Sequence, residues 1–480
     1  MKILFAASEA VPFVKTGGLA DVVGTLPKFI HSNQNEVILV LPKYRSIPTQ
    51  FVEAMQFLRW FHVSFGNEQE YVGVFRHESQ GRTVYFLDNE KFFGRDDIYG
   101  YDDDHMRFAY FNLAIIALIQ QMDFDIDIIH CHDWHTAMIP AIIAERYRMD
   151  SHFRSIKCVL TVHNPAYQGY APRSALSEIF QISDDTFLNG KNRFGDGISF
   201  LKSGIIYSDK ITTVSPTHAE ELLTHEIAHG LEGVFQLRKS DLIGILNGMD
   251  YQSYNPKKDQ ALTKPLYGYG INRSLNKSAL QQMFHLSVDS NIPLIGMVTR
   301  LVDQKGIQLV LDAFESMMNI PCQIIVLGSG DSRYEQQLRE LQFAYPNQVG
   351  VYIGYNDEIA RQIYGGSDFF LMPSQFEPCG ISQMIAMHYG AIPIVHQTGG
   401  LYDTIEPYNE YINSGNGFGF LRYRADDMLS IVRYAISIYY NKKVWRSLVN
   451  RAMNVSFDWT QSAEKYLDLY KKMVGTTRNG

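Results

Sequence analysis

Short apolar runs alternate with longer stretches of helical periodicity along most of the chain. The runs are apolar almost throughout rather than at every second position, which is typical of strands buried on both faces of a sheet. In the first half of the chain they lie at 2–9, 36–42, 84–88, 127–133, 157–163 and 210–215. In the second half they lie at 294–300, 322–330, 349–354, 368–374 and 391–396.

Helical stretches such as 107–122 separate the runs and are long enough to serve as crossover connections between parallel strands. We therefore predict an α/β fold with two Rossmann-like, doubly wound domains that face each other across a cleft. The boundary is expected near 245–259, where Asn, Gly and Pro break regular structure. The predicted domains are 1–245 and 246–456, followed by a C-terminal segment, 457–480, that contains a helix.

Composition narrows the function classes. With 46% apolar and 20% charged residues, the chain has the composition of a globular protein, and its net charge of −8 argues against nucleic-acid binding. We expect no membrane span, because no run of eighteen apolar residues occurs. The four cysteines lack C-x-x-C spacing and the start lacks a signal-peptide layout, so a reduced, cytoplasmic location is expected.

The first candidate site follows the first predicted strand, in the segment Lys15-Thr16-Gly17-Gly18. Paired glycines let a backbone approach a phosphate, and the helix predicted to follow offers free N–H groups. Lys15 adds a full positive charge. A tight turn with a solvated lysine is the alternative, but the position after the first strand favours phosphate binding.

The second candidate site follows the first strand of the second domain, where Arg300 and Lys305 lie five residues apart. An Arg fork and a Lys point charge suit the two phosphates of a nucleotide. The alternative is a pair of solvated charges at the start of a helix. Because cations are unfavourable at that end of a helix without an anion, we favour phosphate binding.

The third candidate is Glu377, on a Pro- and Gly-constrained turn between a strand and a helix. A carboxylate there suits two roles, and the residues alone leave both open. It could cap the helix. It could instead face a sugar and stabilise positive charge that develops at the anomeric carbon.

Histidines at strand ends form the fourth candidate. His163 could bond a sugar hydroxyl or a developing charge, although a lone strand-end histidine is more often structural. The segment 130–135, His-Cys-His-Asp-Trp-His, resembles a metal cluster, but strand alternation sends neighbouring side chains to opposite faces and no fourth ligand is suitably spaced. We predict no metal there, and instead a polar wall in which Asp133, Trp134 and His135 bind the acceptor.

Nine segments carry a family resemblance. KTGGLADV, HCHDWHTA, TVHNPAYQG, TTVSPTHAEE, GLEGV, GILNGMD, RLVDQKG, PSQFEPCGISQ and TGGLYDT occur in the order found in bacterial glycogen synthases and plant starch synthases. From residue 1 to about 470 the chain resembles this family. The resemblance implies the GT-B glycosyltransferase fold, with an acceptor-side N-terminal domain, a donor-binding C-terminal domain and a last helix that returns to the N-terminal domain.

The resemblance also implies an activity: transfer of glucose from ADP-glucose to the non-reducing end of an α-1,4-glucan such as glycogen, with retention of configuration and without a metal or other cofactor. It implies that the catalytic residues are Glu377, His163, Arg300 and Lys305. It implies that donor and glucose are bound by Lys15, Gly17, Gly18, Asp21, Asn164, Asn247, Tyr355, Cys379, Gly380, Thr398, Gly399 and Gly400.

One departure shapes the expected mechanism. The wider superfamily often carries a second Glu eight positions after the first, and here Ile385 stands there. Front-face attack, in which the leaving phosphate accepts the acceptor's proton, is therefore expected. Two alternatives are a UDP-glucose-dependent transferase of the same fold and a catalytically silent glucan-binding protein. Loss of Glu377, Lys15 or Arg300 would have favoured the second, and all three are present.

Overall fold

The computed structural model describes residues 1–79 and 81–478 and divides the chain into two compact units. Unit 1 comprises Met1–Asn247 together with the chain from Trp459 onward, and unit 2 is Gly248–Asp458. Each unit is built around its own largely parallel sheet. The prediction of an α/β fold with two doubly wound sheets is confirmed.

Unit 1 contains a nine-stranded sheet with the order β12-β11-β7-β6-β1-β2-β5-β4-β3 and a small antiparallel sheet with the order β8-β10-β9. The strands are β1 (Lys2–Ala6), β2 (Glu36–Pro42), β3 (Gln56–Phe65), β4 (Glu68–Ser79), β5 (Arg82–Asp88), β6 (Ile128–His132), β7 (Lys157–Val162), β8 (Tyr170–Ala171), β9 (Arg193–Phe194), β10 (Gly197–Ser199), β11 (Lys210–Thr213) and β12 (Leu242–Gly244). In the large sheet, β3–β4 and β4–β5 pair antiparallel and the other pairs are parallel.

Crossover helices connect the parallel strands of unit 1, and shorter helices lie in its loops. They are α1 (Gly18–Ile30), α2 (Thr49–Glu53), α3 (Glu90–Phe93), α4 (Asp104–Gln121), α5 (Met138–Arg146), α6 (Ala175–Glu178), α7 (Asp185–Leu188), α8 (Phe200–Tyr207), α9 (Pro216–Glu221), α10 (His225–Ala228) and α11 (Glu232–Leu237), with 3-10 turns at Trp134–Thr136 and Lys239–Asp241. Helix α4 is buried on most of its surface, which explains why its sequence is apolar almost all round.

Unit 2 is a parallel sheet with the order β15-β14-β13-β16-β17-β18. Counted within the unit this is 3-2-1-4-5-6, the order of dinucleotide-binding folds, and it reverses between β13 and β16. The strands are β13 (Leu294–Val298), β14 (Gln323–Gly328), β15 (Val349–Ile353), β16 (Phe369–Met372), β17 (Ile392–His396) and β18 (Phe418–Phe420).

Helices cover the sheet of unit 2 and follow most of its strands. They are α12 (Ile271–Met283), α13 (Ile307–Met318), α14 (Ser332–Ala344), α15 (Asp357–Gly366), α16 (Ser382–Tyr389), α17 (Gly399–Thr404), α18 (Ala425–Tyr440) and α19 (Lys442–Asn454), with a 3-10 turn at Asp303–Lys305. Among the helices of the described residues, none combines the length and the apolar content needed to cross a membrane.

The last helix, α20 (Trp459–Arg478), belongs to unit 1. It packs against α1, and Trp459, Tyr466 and Tyr470 are fully or almost fully buried. The Tyr470 hydroxyl lies 2.7 Å from Nδ1 of His130 in β6. Helix α20 therefore completes the core around α1 and β6.

Candidate functional site

The strand order of unit 1 reverses between β1 and β6, which are parallel neighbours with Phe5 beside His130. Two parallel strands end at the same edge of the sheet, so the segments that follow them leave side by side. Ligands bind at such a point in open α/β sheets. The segments that leave here carry Glu9 and Asp133.

Glu9 holds the turn in front of α1. Its Oε2 accepts hydrogen bonds from the backbone N–H of Thr16 at 2.5 Å and from the Thr16 hydroxyl at 3.0 Å, and the backbone N–H of Gly17 bonds it as well. The residue is 3% exposed. Burial raises the pKa of the Glu9 carboxyl to about 7, although these hydrogen bonds partly oppose the shift. Sequence reasoning did not identify this residue.

The predicted phosphate loop lies next to this carboxylate. Gly17 caps α1 with extended backbone, and a Cβ on Gly17 or Gly18 would meet no atom within 4 Å. The ammonium of Lys15 lies 2.8 Å from Oδ1 of Asp21, in the first turn of α1. The structure therefore brings these four predicted residues together around an open helix N-terminus.

Asp133 links the end of β6 to the end of β7. Its Oδ1 accepts hydrogen bonds from the backbone N–H groups of His163 at 2.6 Å and Asn164 at 3.4 Å. Asp133 has a positive φ of 53° and is 8% exposed. Burial raises the pKa of its carboxyl to about 7, against these hydrogen bonds, and the charge of Glu9 adds to the rise.

His163 meets a second histidine. Its Nε2 lies 3.0 Å from Nδ1 of His132, which is completely buried in β6. Burial lowers the pKa of His163 to about 3 and the pKa of His132 well below its ordinary value. Both rings are therefore neutral at pH 7.

Trp134 and His135 lie among aromatic side chains of the core. Trp134 is 8% exposed, its ring centroid lies 5.0 Å from that of Phe108, and a Cβ on Gly169 would lie 2.3 Å from its indole. His135 stacks on Tyr99 at 4.8 Å. The indole thus offers little free face for stacking on a sugar.

The acceptor-binding role of Asp133, Trp134 and His135 stays a prediction, with Asp133 already bonded to the end of β7.

Asn247, at the end of the first segment of unit 1, is 4% exposed, and its Oδ1 is buried without a hydrogen-bond partner in the described chain. Across residues 1–79 and 81–478, no group of three or more His, Cys, Asp or Glu side chains is arranged to hold a metal ion.

In unit 2, two of the predicted catalytic residues bond each other at the point where the strand order reverses. The ammonium of Lys305, after β13, lies 2.6 Å from Oε2 of Glu377, after β16. The Ser374 hydroxyl donates to the same oxygen at 2.9 Å. Glu377 is 7% exposed and Ser374 is 2% exposed, so the carboxylate is held from two sides in a mostly buried position.

Backbone contacts hold the two loops together. The N–H of Gln375 donates to the carbonyl of Gln304 at 2.8 Å, and the Gln304 side chain donates to the carbonyl of Phe376 at 3.2 Å. Gly306 ends the 3-10 turn with φ of +74°, and a Cβ there would lie 2.1 Å from the carbonyl oxygen of Pro373. Only glycine fits this approach without displacing the second loop.

Arg300 differs from Lys305 in its surroundings. It is exposed, and its guanidinium makes no ion pair with any described residue, whereas Lys305 is paired and mostly buried. Tyr355, in the loop between β15 and α15, is 70% exposed, and its hydroxyl lies 3.3 Å from Asp357. Both side chains are therefore open to a ligand on unit 2.

The segment 398–401 packs against the turn that carries Glu377. The N–H of Gly400 donates to the carbonyls of Glu377 at 3.0 Å and Pro378 at 3.2 Å. A Cβ on Gly400 would lie 2.0 Å from the carbonyl oxygen of Cys379, and Gly380 has φ of +72°. Gly400 is thus required for close backbone packing, and Gly380 for a left-handed backbone conformation, independently of any ligand.

Thr398 and Gly399 lie at the start of α17, beside this contact. Both therefore lie near the turn that carries Glu377, as the predicted donor site requires. Thr398 is the N-cap of α17 with extended backbone and is 6% exposed. Gly399 has a φ of +45°. The predicted residues of unit 2 after β13, β16 and β17 therefore cluster at one edge of its sheet, while Tyr355 lies after β15.

Family models match both units. Residues 2–237 match the starch synthase catalytic domain, and residues 280–447 match the glycosyl transferases of group 1. The first match lies within unit 1 and the second within unit 2.

Full-length relatives agree with these matches. The chain is 43% identical to a glycogen synthase of Clostridium beijerinckii, over 99% of this chain and 100% of the relative. It is 44% identical to a glycogen synthase of Desulforamulus reducens, over 99% of each. Among solved structures, it matches the catalytic domain of starch synthase IV from Arabidopsis thaliana, bound to ADP and acarbose, with a TM-score of 0.91 and 32% identity over 98% of this chain and 99% of that chain.

Proposed function

Because this chain belongs to the family of glycogen and starch synthases, we propose that it extends glycogen by transferring glucose from ADP-glucose to the non-reducing end of an α-1,4-glucan. It is a glycosyltransferase with the GT-B fold. The transfer retains the anomeric configuration and takes place in the cytoplasm. ADP, which the starch synthase IV structure binds, is the leaving group of this donor.

The observation that carries the proposal is the Lys305–Glu377 pair at the strand-order reversal of unit 2. A positive and a negative side chain close together can stabilise both charges of a reaction in which positive and negative charge develop on neighbouring atoms. As the bond from the glucose C1 to the phosphate oxygen breaks, negative charge grows on the diphosphate and positive charge on C1. Lys305 and Arg300 stabilise the first, and Glu377 stabilises the second. One well-placed group of this kind contributes roughly 3–4 kcal/mol.

Proton transfer requires no second carboxylate in this scheme. The 4-hydroxyl of the glucan attacks C1 from the face that the diphosphate leaves, a C1–O4 bond forms, and the hydroxyl proton passes to the departing phosphate oxygen. The products are ADP and a glucan longer by one residue. Ile385, where a second Glu would stand, is consistent with this route.

The remaining predicted residues bind the donor and its glucose. Lys15 and the open helix N-terminus behind Gly17 and Gly18 suit an anion. His163 and Asn164, whose backbone Asp133 holds, bind glucose oxygens. The exposed ring of Tyr355 flanks the adenine.

The remaining donor and glucose contacts are assigned to smaller side chains and to backbone. They are Asp21, Asn247, Cys379, Gly380, Thr398, Gly399 and Gly400. The buried and unpartnered Oδ1 of Asn247 supports a polar ligand at that residue.

Transfer of radiolabelled glucose to glycogen tests the proposal. We expect kcat/KM with ADP-glucose to exceed that with UDP-glucose by at least about 10-fold, equivalent to about 1.4 kcal/mol. Glu377→Gln serves as the control for label transfer that does not come from this site. Faster transfer from UDP-glucose would overturn the donor assignment, and no transfer from either donor would favour a glucan-binding protein without activity.

A further inference from the structure

We propose that His132 is a positioning residue that determines which ring nitrogen of His163 carries the proton. The proposal rests on the proposed function in one respect, because it gives His163 a donor role toward an oxygen of the substrate. His132 itself touches no substrate in this scheme. It acts only through the hydrogen bond between the two rings.

The bond between the two rings has two possible directions. A neutral imidazole has one N–H and one nitrogen lone pair, so one ring must donate and the other must accept. His132 uses Nδ1 and His163 uses Nε2, at a separation of 3.0 Å. If His132 donates, the proton of His163 is on Nδ1. If His163 donates, its proton is on Nε2 and the proton of His132 is on Nε2 as well.

The surroundings of Nε2 of His132 determine the direction of this hydrogen bond. Nε2 of His132 is buried, and it has no hydrogen-bond partner within the described chain. The ring faces are covered by Phe5 at 5.4 Å and His130 at 4.3 Å. A proton on Nε2 would be a buried N–H without an acceptor, a rare and costly arrangement, whereas an unused lone pair places no hydrogen against its neighbours. His132 therefore keeps its proton on Nδ1 and donates.

The direction of this bond determines the tautomer of His163. Because its Nε2 accepts from His132, its own proton must sit on Nδ1, since the second nitrogen of a histidine is fixed by the bond that the first one makes. The Nδ1–H can then donate to a glucose oxygen or to an oxygen on which negative charge grows. The opposite tautomer could only accept a hydrogen bond from a glucose hydroxyl and could not stabilise an oxygen on which negative charge grows.

The surroundings keep this bond in place. The backbone N–H of His132 donates to the Thr136 hydroxyl at 2.8 Å, and Asp133 accepts from the backbone N–H of His163 at 2.6 Å. Both residues are thus held by their backbones as well as by the ring-to-ring bond. The low pKa of each ring, caused by burial, keeps both neutral across the pH range in which an enzyme of this class is assayed.

The tautomer can be measured directly on the full-length protein without substrate. We expect ¹⁵N-histidine NMR at pH 7.5 to show His163 with a protonated Nδ1 and a bare Nε2, and His132 likewise. The signals are assigned by their loss in His163→Gln and His132→Asn. A protonated Nε2 on His163 would overturn the proposal, whatever the activity of the enzyme.

Two substitutions at His132 test the effect on transfer. His132→Asn places an amide N–H near the position of Nδ1 and should restore the donor, whereas His132→Leu removes it. We expect His132→Leu to lower kcat by about 10- to 100-fold, the range found when a histidine that binds a metal loses the partner that orients it, with little change in KM for ADP-glucose. His132→Asn should retain most of the kcat of the unaltered protein.

A packing control separates positioning from stability. His130→Asn alters a buried ring on the same strand that bonds Thr161 and Tyr470 rather than His163. We expect it to lower Tm while leaving His163 protonated on Nδ1. Equal loss of kcat in His132→Asn and His132→Leu would overturn the proposal. Absence of glucose transfer by the unaltered protein would instead overturn the proposed function and leave the tautomer measurement valid.

Discussion

The ammonium of Lys305 and the carboxylate of Glu377 lie 2.6 Å apart, although 72 residues separate them in sequence. They meet because β13 and β16 are parallel neighbours and their following loops leave the sheet at the same edge. Each is mostly buried, so removing either leaves a charge that is poorly solvated. The roles proposed for the two residues can therefore be separated in two ways. One is a substitution that keeps the shape of the side chain, and the other is to measure kcat for Glu377 and ADP affinity for Lys305.

Glu377→Gln removes the charge while keeping the shape of the side chain. We expect kcat to fall by about 10²- to 10³-fold, the range for a group that acts mainly on the transition state, while KM for ADP-glucose changes by less than about 3-fold. Steady-state kinetics with saturating glycogen measure both. A variant with near-normal kcat would assign Glu377 a capping role only.

Ser374→Ala tests a residue that sequence reasoning missed. Its hydroxyl donates to the same Oε2 of Glu377 that Lys305 contacts. We expect a loss in kcat of about 10- to 100-fold and a measurable fall in Tm, because one hydrogen bond to a charged group contributes about 1.5–3 kcal/mol. Ser374→Thr, which keeps the hydroxyl, is the matched comparison, and equal activity of both variants with the unaltered protein would exclude the positioning role.

Lys305→Ala should weaken ADP binding by about 10- to 100-fold, because it removes a charge that the diphosphate would otherwise contact. Isothermal titration with ADP at two salt concentrations measures the change and its electrostatic part. Lys443→Ala, at an exposed position of α19 in the same unit, is the control for a general effect of net charge. If both variants bind ADP as tightly as the unaltered protein, Lys305 does not bind the diphosphate.

The pH dependence of stability should report Glu9. Its folded-state pKa is raised from an ordinary value of 4.5 to about 7, so the folded protein holds a proton that the unfolded chain has lost. The free energy of unfolding should therefore fall as pH rises from about 4.5 to about 7 and then level off, by about 3 kcal/mol for this group. Asp133, also raised to about 7, adds to the same trend.

Glu9→Gln isolates this contribution. Denaturant unfolding followed by near-UV circular dichroism should show a smaller loss of stability between pH 5 and pH 8 in the variant than in the unaltered protein. Glu53→Gln, at an exposed position, is the comparison for a change of one surface charge. Identical pH profiles in Glu9→Gln and the unaltered protein would contradict the assignment.

Thiol reagents should inactivate the protein slowly through Cys379, with protection by ADP or ADP-glucose. Burial raises the pKa of Cys131 and Cys158 strongly and that of Cys322 to about 12, so these thiols are poor nucleophiles. Cys379 is 6% exposed and its backbone contacts the segment that begins at Thr398.

Peptide mapping locates the label. Cys379→Ser should resist the reagent and keep substantial activity, because the proposed mechanism forms no covalent bond to this residue. Label confined to Cys131 or Cys158 would refute the assignment. An inactive Cys379→Ser that still folds and binds ADP would do so as well.

The sequence predicts those strands whose burial is uniform. The run at 36–42 coincides with β2, and the run at 157–163 covers β7, because a strand covered on both faces must be apolar throughout. The hairpin β3–β4 escaped prediction because β3 is an edge strand whose residues are mostly exposed over its first half. Its mixed polarity resembles a surface segment as much as a strand.

The candidate site shows a similar division. Lys305 and Glu377 are charged residues on turns that directly follow apolar predicted strands, and this position indicated a functional role. Glu9 lies inside an apolar run, and its importance comes from the backbone N–H groups that face it, which no sequence pattern encodes. The polar neighbours of Trp134 led to the prediction that it helps to bind the acceptor, but the core aromatics that cover it lie elsewhere in the chain.

Helix α20 has a consequence for biosynthesis. Unit 2 is one continuous segment and can fold as soon as Asp458 has left the ribosome. Unit 1 is interrupted: its first 247 residues are made before unit 2, yet the partner of His130, Tyr470, is translated only after the whole of unit 2. During synthesis of the entire second unit, the β6 histidine and the face of α1 that α20 covers stay without their partner. The nascent first unit therefore exposes this surface until α20 has been translated.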